Sequence, residues 1–109
     1  MELLLILLFS HFVADYPLQG SYLADAKRAV FQTFEGTWAL VAHSALQAGA
    51  AGAATALLGG PWIVAAAAVG STHFVIDACR VKGAVPYYVD QALHLSVMAA
   101  VAIWAARWA

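Results

Sequence analysis

The chain alternates long apolar segments with short connections that contain most of its charged residues. The apolar segments cover residues 1–18, 37–58, 62–79 and 89–108. A helix needs about 20 mostly apolar residues to cross the hydrocarbon layer of a bilayer, with a range of roughly 17 to 25. Lipid leaves only helices or closed barrels as spanning structures, and no segment alternates like a barrel strand. The pattern therefore predicts an all-α, integral membrane four-helix bundle that forms one transmembrane domain over residues 1–109.

The longest connection, residues 21–36, has a helical pattern of its own. Apolar residues recur in it at helical spacing, and most of the charged residues fall between them. This pattern predicts either a short amphipathic helix at the membrane surface or an ordered loop. The apolar positions are Tyr22, Leu23, Ala26, Val30 and Phe34.

The basic residues of the connections predict the orientation. Lys27 and Arg28 lie in the first connection and Arg80 and Lys82 in the third, whereas the Gly59-Gly60-Pro61 turn between them has no charge. Cytoplasmic loops of membrane proteins carry an excess of Lys and Arg. We therefore expect both basic connections on the cytoplasmic side of a multi-pass protein whose two termini lie outside.

The composition agrees with a membrane protein and excludes several other classes. The chain is 64% hydrophobic and 10% charged, whereas an ordinary soluble domain has roughly a quarter charged residues. A net charge of −1 argues against nucleic acid as a partner, because phosphate backbones require clustered Lys and Arg. The one cysteine, Cys79, excludes an internal disulfide. Runs of Ala and Gly at residues 49–56 and 65–70 predict close helix packing and offer a surface for a homo-oligomer contact.

Ionisable residues inside the apolar segments are the feature that membrane insertion does not explain. Each segment contains one of the four histidines, and in three segments an aspartate lies four residues away. Residues at i and i+4 lie on one helix face, one turn apart. A charged group at the middle of a spanning helix costs about 2.5–3.5 kcal/mol, so such residues are functional candidates. The histidines are His11, His43, His73 and His94, and the aspartates are Asp15, Asp77 and Asp90.

The order of each pair follows the direction of its helix. His precedes Asp in the first and third segments, which run towards the cytoplasm in the predicted topology, and Asp precedes His in the fourth. Every histidine then lies about five or six residues, roughly 8–9 Å, from the cytoplasmic end of its helix. The aspartates lie about one turn closer to that end. The sequence therefore predicts a layer of histidines next to a layer of carboxylates.

These nitrogen and oxygen donors suit one or two divalent first-row metals, such as zinc, manganese or iron. A single closed structural zinc uses only about four ligands. The four histidines and three aspartates exceed that number, which predicts either two metals or one metal whose histidines are oriented by the carboxylates. Three other interpretations remain open: a proton or ion path, haem between paired histidines, and hydrogen bonds that only hold helices together.

Three segments carry a resemblance to a known family. They are HFVADYPLQ from His11, HFVID from His73 and DQALH from Asp90. Over nearly the whole chain they resemble, in order and spacing, the signature blocks of the domain of unknown function 3307, which implies a small multi-pass protein of the bacterial inner membrane. A looser similarity is to membrane-bound proteins described as metal-dependent hydrolases. Gln19 and Gln91 match the blocks and are candidates to orient metal ligands, although a helix-end hydrogen bond is the simpler role for Gln19.

Three functions from different classes fit these features. The first is a metal-dependent membrane hydrolase that activates water near the cytoplasmic leaflet. The second is a proton or ion transport module, and the third is a non-catalytic membrane scaffold with a structural metal. The outer halves of the segments contain no ionisable residue except Glu2 and Arg107, which disfavours a path across the bilayer. No motif indicates the substrate.

Overall fold

A computed structural model describes residues 1–108, and every regular element in that range is helical. Two of the five α-helices continue into a short 3₁₀ turn, at Lys27–Ala29 and Ala106–Trp108. The predicted all-α class is therefore confirmed. The helices are α1 (Glu2–Asp15), α2 (Gly20–Ala26), α3 (Phe34–Leu57), α4 (Trp62–Val81) and α5 (Tyr87–Ala105).

The helices on either side of the first connection have boundaries that differ from the apolar segments. α1 ends at Asp15 rather than at the end of the segment 1–18, because Pro17 has no N–H to continue the hydrogen-bond ladder. α3 begins earlier than the segment 37–58, because Thr33 caps it. The Thr33 hydroxyl accepts a hydrogen bond from the backbone N–H of Gly36 at 2.9 Å.

The first connection is helical from Gly20 to Ala29, so of the two predictions for residues 21–36 the short helix is confirmed over that part. Residues 30–33 form a turn, and Phe34 already belongs to α3. α2 and its 3₁₀ turn, which together form Gly20–Ala29, bend by 80° from α1. Val30, which follows them, is fully buried and packs with Leu40 of α3 and Ala78 of α4. This contact holds the connection against α3 and α4, while its position at a membrane surface stays a prediction.

The four longer helices pack side by side. α3 contacts α1 and α4, and α5 contacts α4 and α1. The molecule is elongated, with principal dimensions of 42 × 22 × 21 Å. Each longer helix therefore has two neighbours among the other three, and the interior that they share contains the histidines.

The interior is layered along the long axis. On α1, α4 and α5, an apolar residue, a histidine and an aspartate follow one another at successive helical turns. The apolar residues belong to one buried cluster, so the histidines lie between an apolar core and the carboxylates. These triplets are Leu7, His11 and Asp15 on α1, Val69, His73 and Asp77 on α4, and, in reverse order, Met98, His94 and Asp90 on α5.

Small residues bring α3 and α4 close together. A Cβ atom at Gly70 would lie 2.8 Å from Cβ of Ala48, and a Cβ at Gly52 would lie 3.1 Å from Cβ of Ala66. Glycine at these positions allows the backbones to approach more closely than larger side chains permit. The packing agrees with the close approach that the runs of Ala and Gly predict.

Gly36, near the start of α3, packs against Ala29 of the first connection. The substitution Gly36→Ala should push α3 and the connection apart. A Cβ atom at Gly36 would overlap the backbone carbonyl of Ala29. Overpacking of this kind costs about 1–3 kcal/mol. We expect the free energy of unfolding to fall by that amount in denaturation experiments in detergent.

Gly49→Ala is the matched control, because a Cβ on this part of α3 meets no atom within 4 Å. Alanine is favoured over glycine in a helix by up to about 1 kcal/mol, so this variant should be neutral or more stable. Equal losses in Gly36→Ala and Gly49→Ala would contradict the close contact with Ala29.

Length and apolar content qualify two helices as membrane spans, α4 and the helix from Tyr87 to Trp108. The bent pair of α1 and α2 would be a third if it counted as one span. α3 is long enough, with 24 residues, but it is not apolar enough because residues such as His43 and Gln47 interrupt it. By these criteria the helices provide two or three candidate spans, fewer than the four predicted.

Candidate metal centre

The structure brings all seven predicted donor residues into one cluster. The four histidines are at most 1% exposed, and two of the three aspartates are also buried. The residues form three overlapping groups, and within each group the donor atoms lie within 4.8 Å of one another and could hold a metal ion. The groups are His11 with Asp15 and His73, His43 with His73 and Asp77, and Asp77 with Asp90 and His94.

The histidines form a compact layer with one ring from each of the four longer helices. The His73 ring stacks on the His94 ring at 4.1 Å between centroids and meets the His43 ring edge-on at 4.8 Å. The His11 and His94 centroids are 5.2 Å apart. This arrangement agrees with the common depth derived from the sequence, and it includes His43, which has no aspartate one turn away.

Asp15 supplies the carboxylate that His43 lacks on its own helix. Asp15 Oδ1 lies 3.2 Å from His43 Nε2 and 3.4 Å from His73 Nε2. The other oxygen, Oδ2, lies 3.7 Å from His11 Nε2. One carboxylate of α1 therefore faces histidines on α1, α3 and α4.

Asp77 presents its two oxygens to different histidines. Its Oδ2 atom lies 3.5 Å from His43 Nε2, and its Oδ1 atom lies 3.4 Å from His94 Nε2. Asp90 Oδ1 lies 3.4 Å from the same His94 nitrogen. Asp77 therefore stands between two donor sets, one that includes His43 and one that includes His94 and Asp90.

Seven of the eight histidine ring nitrogens in this cluster lack a hydrogen-bond partner within residues 1–108. Both ring nitrogens of His11, His43 and His73 are buried without a hydrogen-bond partner, and so is Nε2 of His94. An unsatisfied buried polar atom costs about 1–3 kcal/mol. Because so many converge at one place, a single bound cation could satisfy several of them together.

The separations between donor atoms match the edges of a metal coordination polyhedron. Tetrahedral zinc with bonds of about 2.0–2.2 Å places neighbouring ligand atoms about 3.3–3.6 Å apart. His94 Nε2 lies 3.4 Å from both Asp77 Oδ1 and Asp90 Oδ1. These distances exceed the roughly 2.7–2.9 Å of a charge-assisted hydrogen bond. The buried His and Asp groups could therefore hold a metal ion.

Gln47 of α3 contacts the cluster, although the pattern of His and Asp residues along the sequence did not indicate it. Its Nε2 atom donates hydrogen bonds to Asp15 Oδ1 at 2.9 Å and to the carbonyl of His11 at 3.2 Å. Gln47 lies four residues after His43, so the same i, i+4 rule that selected the aspartates could have selected it. It holds the Asp15 carboxylate in place.

Lys27 is a second residue whose place in the cluster was not predicted from the sequence. Its Nζ atom forms an ion pair with Asp77 Oδ2 at 2.8 Å. Lys27 belongs to the first connection and Asp77 to α4, and no sequence periodicity links them. Only the docking of the connection against the helix ends brings this cation to the carboxylates.

The two glutamines of the family blocks make different contacts. Gln19 Nε2 donates a hydrogen bond to the backbone carbonyl of Asp15 at 3.0 Å, which is the helix-end role. Gln91 Nε2 donates to Asp90 Oδ2 at 3.0 Å. Gln91 can therefore orient the Asp90 carboxylate, whereas the hydrogen bond of Gln19 goes to the main chain of Asp15.

A cavity of about 650 Å³ opens above the carboxylate layer. The ends of α1 and α4, the beginning of α5 and the first connection form its wall. Its lining contains the three aspartates but none of the histidines, so the carboxylates separate the histidines from the opening. The charged lining residues are Asp15, Lys27, Arg28, Asp77, Arg80 and Asp90.

Comparison with known proteins identifies the family. The family model described as "Protein of unknown function (DUF3307)" matches residues 3–108. No curated protein and no solved structure matches the chain. The match covers nearly the whole sequence and agrees with the resemblance carried by the three His and Asp segments. The chain therefore belongs to the DUF3307 family.

Proposed function

We propose that the chain is a multi-pass protein of the bacterial inner membrane, in which α1, α3, α4 and α5 form a four-helix bundle. Large apolar side chains on the outside of the helices support this proposal. Phe9, Ile63, Val75 and Ile103 are each at least 60% exposed, and a lipid environment would cover them. Soluble proteins rarely expose apolar patches larger than a few hundred Å².

The dimensions of the molecule also suit a bilayer. The long axis of 42 Å is close to the thickness of a bilayer with its headgroup regions, about 40–45 Å. α1 covers only about 21 Å at the helical rise. A bilayer accommodates a short span by local thinning. We therefore include α1 in the transmembrane domain that residues 1–109 form.

The two basic connections lie at one end of the molecule, which supports the predicted orientation. Lys27 pairs with Asp77, and the Lys82 ammonium lies 5.9 Å from the centre of the Phe31 ring. The Gly60 turn lies at the other end of α4. We assign the basic end to the cytoplasm by the excess of Lys and Arg.

Labelling of single cysteines tests this topology. In a Cys79→Ser background, we expect Lys27→Cys and Lys82→Cys to react with a membrane-impermeant maleimide only after inverted vesicles expose the cytoplasmic face. Leu58→Cys, which is next to the Gly60 turn, should react from the opposite side. Labelling of Lys82→Cys and Leu58→Cys from the same side would contradict the number of spans.

The cluster is proposed to bind two divalent metals that share Asp77. The observation that carries this proposal is the set of 3.2–3.5 Å separations between carboxylate oxygens and buried imidazole nitrogens that have no hydrogen-bond partner within residues 1–108. Asp15, His43 and His73 would hold one ion, and His94 and Asp90 would hold the other, with Asp77 shared between them. Each Asp77 oxygen faces one of these sets. His11 completes the first set through its contact with Asp15.

The donor types narrow the choice of metal. Imidazole and carboxylate together suit zinc, manganese and iron, whereas magnesium and calcium favour oxygen donors alone. The cavity reaches the three aspartates from one end of the molecule and offers a path by which a metal could enter. We expect zinc, manganese or iron as the resident ions.

A metal-dependent hydrolase is the function that this arrangement supports best. A divalent metal supplies an activated water nucleophile and polarises the bond under attack. The cavity reaches the carboxylates from one end of the molecule, so a substrate has access to that side of the metal centre. A closed structural site has four protein ligands and no such opening. Below the histidines, the apolar layer of Leu7, Val69 and Met98 disfavours a proton path across the bilayer.

Metal analysis of detergent-purified protein tests the proposal. We expect about two equivalents of first-row divalent metal per chain, as in two-metal hydrolases. A chelator should remove the metal and abolish hydrolysis of p-nitrophenyl phosphate or p-nitrophenyl acetate while circular dichroism still reports a helical fold. Unfolding on chelation, without hydrolysis at any stage, would instead support a scaffold with a structural metal. Protein that neither retains nor takes up metal would refute the metal centre.

A further inference from the structure

The cavity above the carboxylates has a positive wall that the proposed metal centre does not use. Lys27, Arg28 and Arg80 line it. Of these three cations, only Lys27 forms an ion pair within residues 1–108, and its partner is Asp77. Arg28 and Arg80 are both exposed residues, and their side chains form no ion pair with a carboxylate in that range. Two arginines without an ion pair therefore line the same cavity as Asp15 and Asp90.

The charges of the cavity favour an anion once metal is bound. Three carboxylates and three cationic side chains line the space, so their formal charges balance. Divalent metals on the carboxylates would leave an excess of positive charge. In a partly buried site that excess attracts an anionic ligand more strongly than in bulk water.

We infer that Arg28 and Arg80 bind the phosphate group of a phosphate ester and present it to the metal centre. This inference rests on the proposed function and adds the substrate class to it. A phosphate monoester offers three acceptor oxygens and a charge of about −1.5 to −2. Arginine binds phosphate through two parallel hydrogen bonds. Two arginines and a metal together require more acceptor oxygens than the two that a carboxylate offers, which favours a phosphate group over a carboxylate as the ligand.

The size and the remaining wall of the cavity suit such a ligand. Its volume of about 650 Å³ falls within the roughly 300–1,000 Å³ of small-molecule sites and exceeds what a phosphate group alone needs. The remaining space can hold the rest of the ester. Tyr16 and Tyr87 also line the cavity, with their hydroxyls 3.4 Å apart, and offer further hydrogen-bond donors.

Two sources could supply the phosphate ester, a phospholipid headgroup and a soluble metabolite. Isothermal titration calorimetry of metal-loaded protein in a non-ionic detergent separates them. The probes are inorganic phosphate, dioctanoyl phosphatidic acid and, as a zwitterionic control, dioctanoyl phosphatidylcholine. Binding of phosphatidic acid much tighter than phosphate identifies a lipid source, and comparable binding identifies a soluble one. Either result supports a phosphate site, and binding of neither probe refutes it.

Variants of the two arginines test the assignment of residues. Arg28→Gln and Arg80→Gln should each weaken phosphate binding by roughly 10- to 100-fold, because each removes charged hydrogen bonds. Arg107→Gln is the control, since it removes the same charge at the other end of α5. A similar loss in Arg107→Gln, or no loss in either cavity variant, would overturn the inference.

The metal content of each preparation separates this inference from the proposed function. Arg28→Gln and Arg80→Gln should retain metal, because neither side chain belongs to the donor groups. If wild-type protein holds no metal but still binds phosphate through Arg28 and Arg80, the phosphate site stands and the metal centre fails. If metal is bound and phosphate is not, the metal centre stands and the phosphate site fails.

Discussion

His73→Ala is expected to weaken metal binding by at least about 100-fold, because loss of an outer partner of a metal ligand alone costs about 10- to 100-fold. His73 belongs to two of the three donor groups and lies 3.4 Å from Asp15 Oδ1. Metal at 100 times its Kd stabilises a folded protein by about 2.7 kcal/mol. That increment should disappear in the variant. Calorimetric titration with zinc and melting curves with and without zinc measure the two effects.

The quantity to compare between wild type and variant is the change in melting temperature that zinc causes, rather than the melting temperature itself. Removal of a buried imidazole also leaves a void, which lowers stability with or without metal. Thr72→Ala is the control on the same helix, since its hydroxyl donates a hydrogen bond only within α4, to the carbonyls of Ala68 and Val69. An undiminished zinc-induced stabilisation in His73→Ala would be incompatible with a metal ligand at this position.

Asp77→Asn should lower the metal content from about two ions to about one, as expected when a bridging carboxylate of a two-metal site is lost. The Asp77 oxygens face His43 and His94 respectively. An asparagine offers one neutral oxygen and cannot offset the repulsion of two divalent ions. Elemental analysis of metal-loaded, desalted protein gives the stoichiometry directly.

Two further variants isolate the bridging role. Asp25→Asn makes the same chemical change on the exposed face of α2 and should keep both ions. Lys27→Gln removes the cation that pairs with Asp77 Oδ2, and it should keep both ions because it leaves every donor atom in place. An unchanged stoichiometry in Asp77→Asn, or the same loss in Asp25→Asn, would exclude a bridging Asp77.

The His and Asp cluster could be predicted from the sequence because helical geometry is local. Residues four apart lie on one face of any helix, so His73 and Asp77 must be neighbours on α4 once α4 forms. On α5 the aspartate precedes the histidine. This reversed order follows because consecutive helices joined by a short connection run antiparallel. The prediction of a common depth needed only these two facts and the positions of the turns.

The lengths of the helices were harder to predict, because they depend on end effects rather than on apolar content. α1 stops at Asp15 beside Pro17, and α3 begins early because Thr33 caps it. α3 has the length of a span, yet its polar residues leave it short of the required apolar content. These polar residues are buried in the cluster, whereas an average of hydropathy counts them as if they faced lipid.

What the amino-acid sequence determined by itself is the all-α class, the membership in DUF3307 and the pairing of histidine with aspartate on each of three helices. These properties follow from composition and from contacts within single helices. Only the tertiary structure revealed that Asp15 faces His43, that Asp77 divides its oxygens between two histidines, and that Lys27 reaches Asp77.

The cavity with Arg28 and Arg80 likewise depends on tertiary structure. The two arginines lie on different elements, and contacts such as that of Val30 with α3 and α4 hold the first connection where both can line one cavity. Contacts between distant parts of a chain depend on how helices rotate and dock, which local periodicity does not specify. For that reason the donor residues were predictable from the sequence, whereas their arrangement around a cavity was decided by packing.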